Sequence, residues 1–212
     1  MSFSNGDYER LIPGPAGDLE SLLQFNEDSS NVVICCHPHP QFGGTMTNKV
    51  VHTLHRVFKD RGMSTIRFNF RGVGKSHGSY AEGDGEIDDL LSIIQWVKTN
   101  FPHLKIALAG FSFGAFISLK VAQLQNFQFL ISVAPPVSRI YFENIVITSM
   151  PWIVIQPLDD DVVDPQASIA WYYQHQHPLS RLVEVADCSH FFHGKLIELK
   201  LCLNQSMDEL GL

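Results

Sequence analysis

Residues 106–122 read IALAGFSFGAFISLKVA, two apolar runs parted by one serine with a glycine two places to each side. The first run, with Lys105, has the length and β-branched content of a buried strand. The second, from Ala115 to Leu124, is apolar nearly all round and reads as a buried helix. A strand that turns at once into a helix crowds its own backbone at the turn and holds the turn residue in a strained conformation. Gly110 and Gly114 relieve that crowding on either side of Ser112, the GxSxG pattern. The hydroxyl then projects at the carboxyl end of a strand, over a helix N-terminus whose free N–H groups favour developing negative charge. A hydroxyl in that position is placed to react.

Outward from this elbow the chain alternates strand and helix. NVVICC (31–36), STIRFNF (64–70), FLISVA (129–134), PWIVIQ (151–156) and RLVEVA (181–186) read as strands. Stripes at helical spacing predict helices over 48–60, 86–98, 166–174 and 194–207, the first capped by Thr47 and stopped by Gly62. An early pair of strands lies in RLIPGPAGDLESLLQF. This alternation predicts an α/β fold: a mostly parallel sheet of about seven to eight strands with helices on both faces, in a single domain over 1–212. Ligands in such sheets bind beyond the carboxyl ends of the strands.

With 212 residues, 45% hydrophobic, and a net charge of −7, the chain is long enough for one substantial core and carries too little positive charge for a nucleic-acid partner. No apolar run is long enough to span a bilayer, and MSFSNGDYERL predicts no signal peptide. Cys35, Cys36, Cys188 and Cys202 show no CxxC spacing and read as buried free thiols, which suits a reducing cytoplasm.

A serine needs a base, and the base an orienting acid. After PWIVIQ, the run PLDDDVVDP offers Asp159, Asp160, Asp161 and Asp164; after RLVEVA, DCSHFFHGK offers His190 and His193. A carbonyl under attack also needs preset N–H donors. The N–H of Phe113, directly after the serine, is one. In the loop HPHPQFGGTMTNKVV, Pro38 and Pro40 have no N–H, which leaves His39 and Gln41 for the other.

On these motifs the whole chain resembles the α/β-hydrolases, and its HPHPQFGGTMTNKVV loop is similar to that of a compact, lid-less bacterial subgroup of esterase-like proteins. The resemblance implies the chain order serine, acid, histidine. The family's G-x-x-D-x-x-V pattern falls on Pro157, Asp160 and Val163, with proline in the glycine place, so Asp160 takes the acid role ahead of Asp159 and Asp161. The base falls on His190, with His193 as a structural or substrate-side residue. The H-G-x-P frame of many relatives falls on His37–Pro40, which makes His39 the second oxyanion donor. Only PPVSRIYFENIVITSM separates FLISVA from PWIVIQ, too little for a cap domain.

Phe42, Tyr141 and Phe142 are expected to line the substrate pocket, with Phe113 beside them and Phe111 in the core. A metal site through His37, His39, His77 and His190 lacks a partner at fixed spacing. NFRGVGKSHGS lacks the first glycine of a phosphate loop, with Asn69 there instead. The resulting expectation is a cytoplasmic serine hydrolase of small or medium esters or thioesters. It uses Ser112, His190 and Asp160, with the amides of Phe113 and His39, and needs no cofactor or metal. A peptidase or acyltransferase with the same residues, or an idle binding protein on this scaffold, is the alternative.

Overall fold

The computed structural model describes residues 3–138, 142, 145–147 and 150–212. In chain order the elements are β1 (Gly6–Gly14), β2 (Gly17–Phe25), β3 (Asn31–Cys36), α1 (Lys49–Asp60), β4 (Ser64–Phe68), α2 (Asp84–Asn100) and β5 (Lys105–Phe111). There follow α3 (Phe113–Ala122), β6 (Leu130–Val133), β7 (Trp152–Pro157), α4 (Pro165–His175), β8 (Ser180–Val185) and α5 (Leu196–Glu209). The strands form one eight-stranded sheet in the order β1-β2-β4-β3-β5-β6-β7-β8. The β1–β2 hairpin joins antiparallel through β2–β4, and all remaining pairs are parallel. This is the mostly parallel α/β sheet that the alternation predicted, in the α/β-hydrolase arrangement that the resemblance implied.

The strand period of two divides the core. Along β3, Val32, Ile34 and Cys36 face one apolar cluster, and Val33 and Cys35 face the other. The first cluster is closed by α2, α3 and α4 through residues such as Leu90, Ile117 and Trp171; the second is closed by α1 and α5 through Leu54, Phe58, Leu203 and Met207. Each such side chain, fully buried, contributes about 1.5–3 kcal/mol. With both faces covered, polar function is left to the loops at the strand ends. Phe111 lies fully buried in the second cluster.

Helix boundaries differ by a residue or two from the sequence expectation. Asn48, not Thr47, caps α1: its Oδ1 accepts the N–H groups of Val50 and Val51 at 2.9 and 3.5 Å. Thr47 instead hydrogen-bonds Thr45. β4 ends at Phe68, two residues early; just beyond it the Asn69 side chain accepts the Met46 N–H and donates to Glu20.

Candidate active site

Ser112 follows the last residue of β5 with φ +53° and ψ −118°, a left-handed backbone rare for a serine. The flanking glycines are sterically required. A Cβ on Gly110 would lie 2.2 Å from the Gly114 oxygen, and one on Gly114 would lie 2.3 Å from the Cys36 oxygen. The Ser112 N–H is held by the Val133 carbonyl of β6 at 2.8 Å, which fixes the elbow to the neighbouring strand.

His190, in the loop after β8, brings Nε2 to 3.1 Å from Ser112 Oγ. Its Nδ1 lies 2.7 Å from Asp160 Oδ2, in the loop after β7. The other Asp160 oxygen accepts the N–H groups of Val162 and Val163 at 2.9 and 2.7 Å, so the carboxylate cannot rotate away. Imidazole and carboxylate are buried, at 2% and 0% side-chain exposure. Three residues 30 and 78 positions apart thus form one hydrogen-bonded line.

The neighbouring acids do other work. Asp159 Oδ2 accepts the Cys188 N–H at 3.2 Å, and its own N–H donates to the Cys188 carbonyl, lacing the two loops together. Asp164 caps α4. Asp161 is exposed on the cleft wall. His193 is exposed and lines neither hollow beside Ser112.

Among the described residues the backbone N–H groups of His39 and Phe113 have no hydrogen-bond partner. The Gln41 N–H does have one, His39 Nδ1 at 3.2 Å, and is therefore not free to serve as a donor. The His39 ring lies 4.9 Å from that of Phe113, centroid to centroid, and burial holds its pKa below the usual histidine range. His37 is fully buried, away from any ligand role: Phe70 N–H donates to its Nε2 at 3.0 Å, and its Nδ1 donates to the Pro38 carbonyl at 2.6 Å. His77 packs against β2, accepting the Asp18 N–H at Nδ1.

Two adjoining hollows open on either side of Ser112. One, of about 450 Å³, is walled by Tyr80, Glu82, Phe113, Phe116, Pro136 and Val163. The other, of about 340 Å³, runs past His190, Phe191, Asp161 and Asn48. Phe42 borders both and is 83% exposed at the mouth. Phe142 does not line them. It is 4% exposed, packed between Phe116 and Trp171, because its apolar ring completes the α3–α4 side of the core. Tyr141 lies outside the described residues. Tyr80 and Glu82 went unread in the sequence, since only folding brings their loop to the elbow; Asn48 and Phe191 lie in loops expected at the site but were not themselves read as its walls.

The serine aminopeptidase S33 family matches residues 28–142, more than half of the chain. The chain belongs to that family. As an S33-family serine hydrolase of α/β fold, it is similar throughout to solved structures. XC6422 of Xanthomonas campestris, described as an α/β serine hydrolase without a lid, is 40% identical with a TM-score of 0.90, over 98% of this chain and 96% of its own. An α/β serine hydrolase homologue from Coxiella burnetii is 44% identical, also at 0.90, over 98% and 99%. An uncharacterized protein of Rickettsia prowazekii is 30% identical over 203 residues, 90% of this chain and 84% of its own.

Proposed function

We propose that this serine hydrolase cleaves small or medium carboxylic esters or thioesters through an acyl-enzyme. The observation that carries the reading is the unbroken line Ser112 Oγ, His190 Nε2, His190 Nδ1, Asp160 Oδ2 at 3.1 and 2.7 Å. Asp160 accepts a hydrogen bond from Nδ1–H and so keeps that proton on Nδ1, which leaves Nε2 bare to take the Oγ proton as the oxygen attacks the carbonyl carbon. The tetrahedral oxyanion is held by the N–H groups of Phe113 and His39. As the tetrahedral intermediate collapses, the bond to the leaving oxygen or sulfur breaks, and that atom takes the proton from Nε2. Water then repeats the sequence, giving its proton to Nε2 and its oxygen to the acyl carbon, and Ser112 is restored.

The hollow that contains His190 suits the leaving group, since the departing atom must meet Nε2; the Tyr80 hollow suits the acyl group. The same reading takes a small-molecule ester or thioester as the partner. It favours a reducing, cytoplasmic setting, which the buried free thiols Cys35, Cys36 and Cys188 suit. No described helix is long and apolar enough to cross a membrane.

Peptidase chemistry is the second reading, favoured by the family's description and by Glu82, an exposed carboxylate in the acyl-side hollow where a substrate amine could pair. A fluorophosphonate probe and a panel of p-nitrophenyl esters, thioesters and aminoacyl anilides test both. The expected result is labelling at Ser112 and ester turnover, both lost in Ser112→Ala by a factor on the order of 10⁴ or more. Absence of labelling in the wild-type protein contradicts the proposal, and anilide turnover exceeding ester turnover favours the second reading.

A further inference from the structure

We propose that Tyr80 and the His39 side chain form a positioning pair that fixes the oxyanion donors, an inference that rests on the hydrolase reading above. The His39 ring is committed at both nitrogens. Nδ1 accepts the Gln41 N–H at 3.2 Å, so the neutral ring carries its proton on Nε2. That Nε2–H donates to the Tyr80 hydroxyl at 3.2 Å. The His39 carbonyl is committed as well, accepting the N–H groups of Phe42 and Gly44, both at 3.1 Å. Only the backbone N–H remains, beside the unpartnered N–H of Phe113.

The rings enforce the same arrangement. His39, Phe113 and Tyr80 make a triangle, with centroids 4.9 Å apart for His39–Phe113, 4.9 Å for His39–Tyr80 and 6.0 Å for Tyr80–Phe113. The two donor-bearing residues therefore touch through side chains, and Tyr80 touches both. A donor for a developing oxyanion acts only when held within a few tenths of an ångström. The loop from His37 to Thr47 contains two prolines and lies between β3 and α1, so sheet ladders cannot supply that rigidity.

Tyr80 is itself anchored to α2. The buried Glu86 carboxylate accepts the N–H groups of Ala81 and Gly83 at 3.0 and 2.8 Å. The buried Asp89 carboxylate receives the Arg71 backbone N–H at 2.9 Å and its guanidinium at 2.7 and 3.1 Å. Both ends of the segment that carries Tyr80 are thus tied to one helix. Position passes from α2 to Tyr80, to the His39 ring, to the His39 amide.

The test compares the full-length wild-type protein with Tyr80→Phe and Tyr80→Leu. Three quantities are read: kcat and KM on a p-nitrophenyl ester, inhibition by a trifluoromethyl ketone whose adduct with Ser112 carries an oxyanion, and the melting temperature. Tyr80→Phe keeps the ring and loses one hydrogen bond, so kcat is expected to fall about 5-fold with KM unchanged. The ketone should weaken by the same factor, and melting should be unaltered. Tyr80→Leu should lose more on the first two measures. Unchanged kcat and ketone affinity in both folded variants, or a rise in KM alone, overturns the inference while leaving the hydrolase reading intact. A wild-type protein that neither turns over ester nor labels at Ser112 overturns the reading and this inference with it.

Discussion

The Phe70 backbone N–H points into the ring of His37, reaching Nε2 at 3.0 Å, while the two rings meet edge to face at 4.7 Å between centroids. A histidine in the loop that carries the His39 amide is thus a structural brace between the ends of β3 and β4. Both its nitrogens are committed, and it cannot take a second proton without losing the Phe70 bond.

Acid should therefore loosen the fold independently of the chemistry. Burial pushes His37 down to about 4, and burial, aided by Arg67, His52 and Lys59, pushes His55 to about 4. Unfolded, each titrates near 6.5. Between those values the unfolded chain binds protons that the folded chain refuses, so stability is intact above pH 6.5 and is lost progressively toward pH 4. Thermal melts from pH 7 to pH 4.5 should show a drop on the order of 5–10 °C, and His37→Phe should flatten part of that slope while lowering the plateau.

Among the four clustered aspartates, Asp160 should dominate turnover. Asp160→Asn can keep the Val162 and Val163 bonds but presents an N–H to His190 Nδ1, which forces the proton onto Nε2 and blocks it as a base. A fall in kcat of about 10⁴ is expected. Asp161→Asn, on the exposed wall, should change kcat less than about 3-fold for a neutral ester. Steady-state kinetics of the two variants decide the point.

Gly114→Ala should fail in a way that Gly194→Ala does not. The first places a Cβ 2.3 Å from the Cys36 oxygen and 2.6 Å from the His37 oxygen, both backbone, so the elbow or β3 must shift. A loss of about 4 kcal/mol or more is expected, visible as poor soluble yield or a lowered denaturant midpoint. Gly194, at φ +72°, meets nothing within 4 Å, and alanine there should cost about 1 kcal/mol.

Arg71→Lys should behave as a damaging change despite keeping the charge. Asp89 is fully buried and takes the planar guanidinium through two of its nitrogens, which an ammonium cannot reproduce. About 3 kcal/mol of stability should be lost in urea titrations.

Much of this was legible in the sequence because it depends on local pattern. The elbow glycines and the alternation of strands and helices each follow from a few adjacent residues, whereas the choice of His190 over His193 came from the resemblance to the α/β-hydrolases. Four features did not. Thr47 and Asn48 are both good caps, and only the geometry of the preceding loop chooses between them. Phe142 reads equally as wall or core until α3 and α4 are packed together. The bracing role of His37 goes unread because its two partners are backbone groups, which no side-chain motif can announce. Tyr80 sits 41 positions from His39, and their meeting depends on anchoring carboxylates at the start of α2.

The N-terminal hairpin contributes nothing to the line of Ser112, His190 and Asp160, yet Glu20 on β2 accepts hydrogen bonds from Asn69 Nδ2 and the Lys75 N–H, both at 2.8 Å, and Asn69 Oδ1 in turn accepts the Met46 N–H at 2.8 Å. A fragment trimmed to begin at residue 28 would retain Ser112, Asp160 and His190 while removing the carboxylate to which the loop before α1 is moored through Asn69. The hairpin therefore steadies that loop from a distance without approaching the elbow, and what looks like outer trim is foundation.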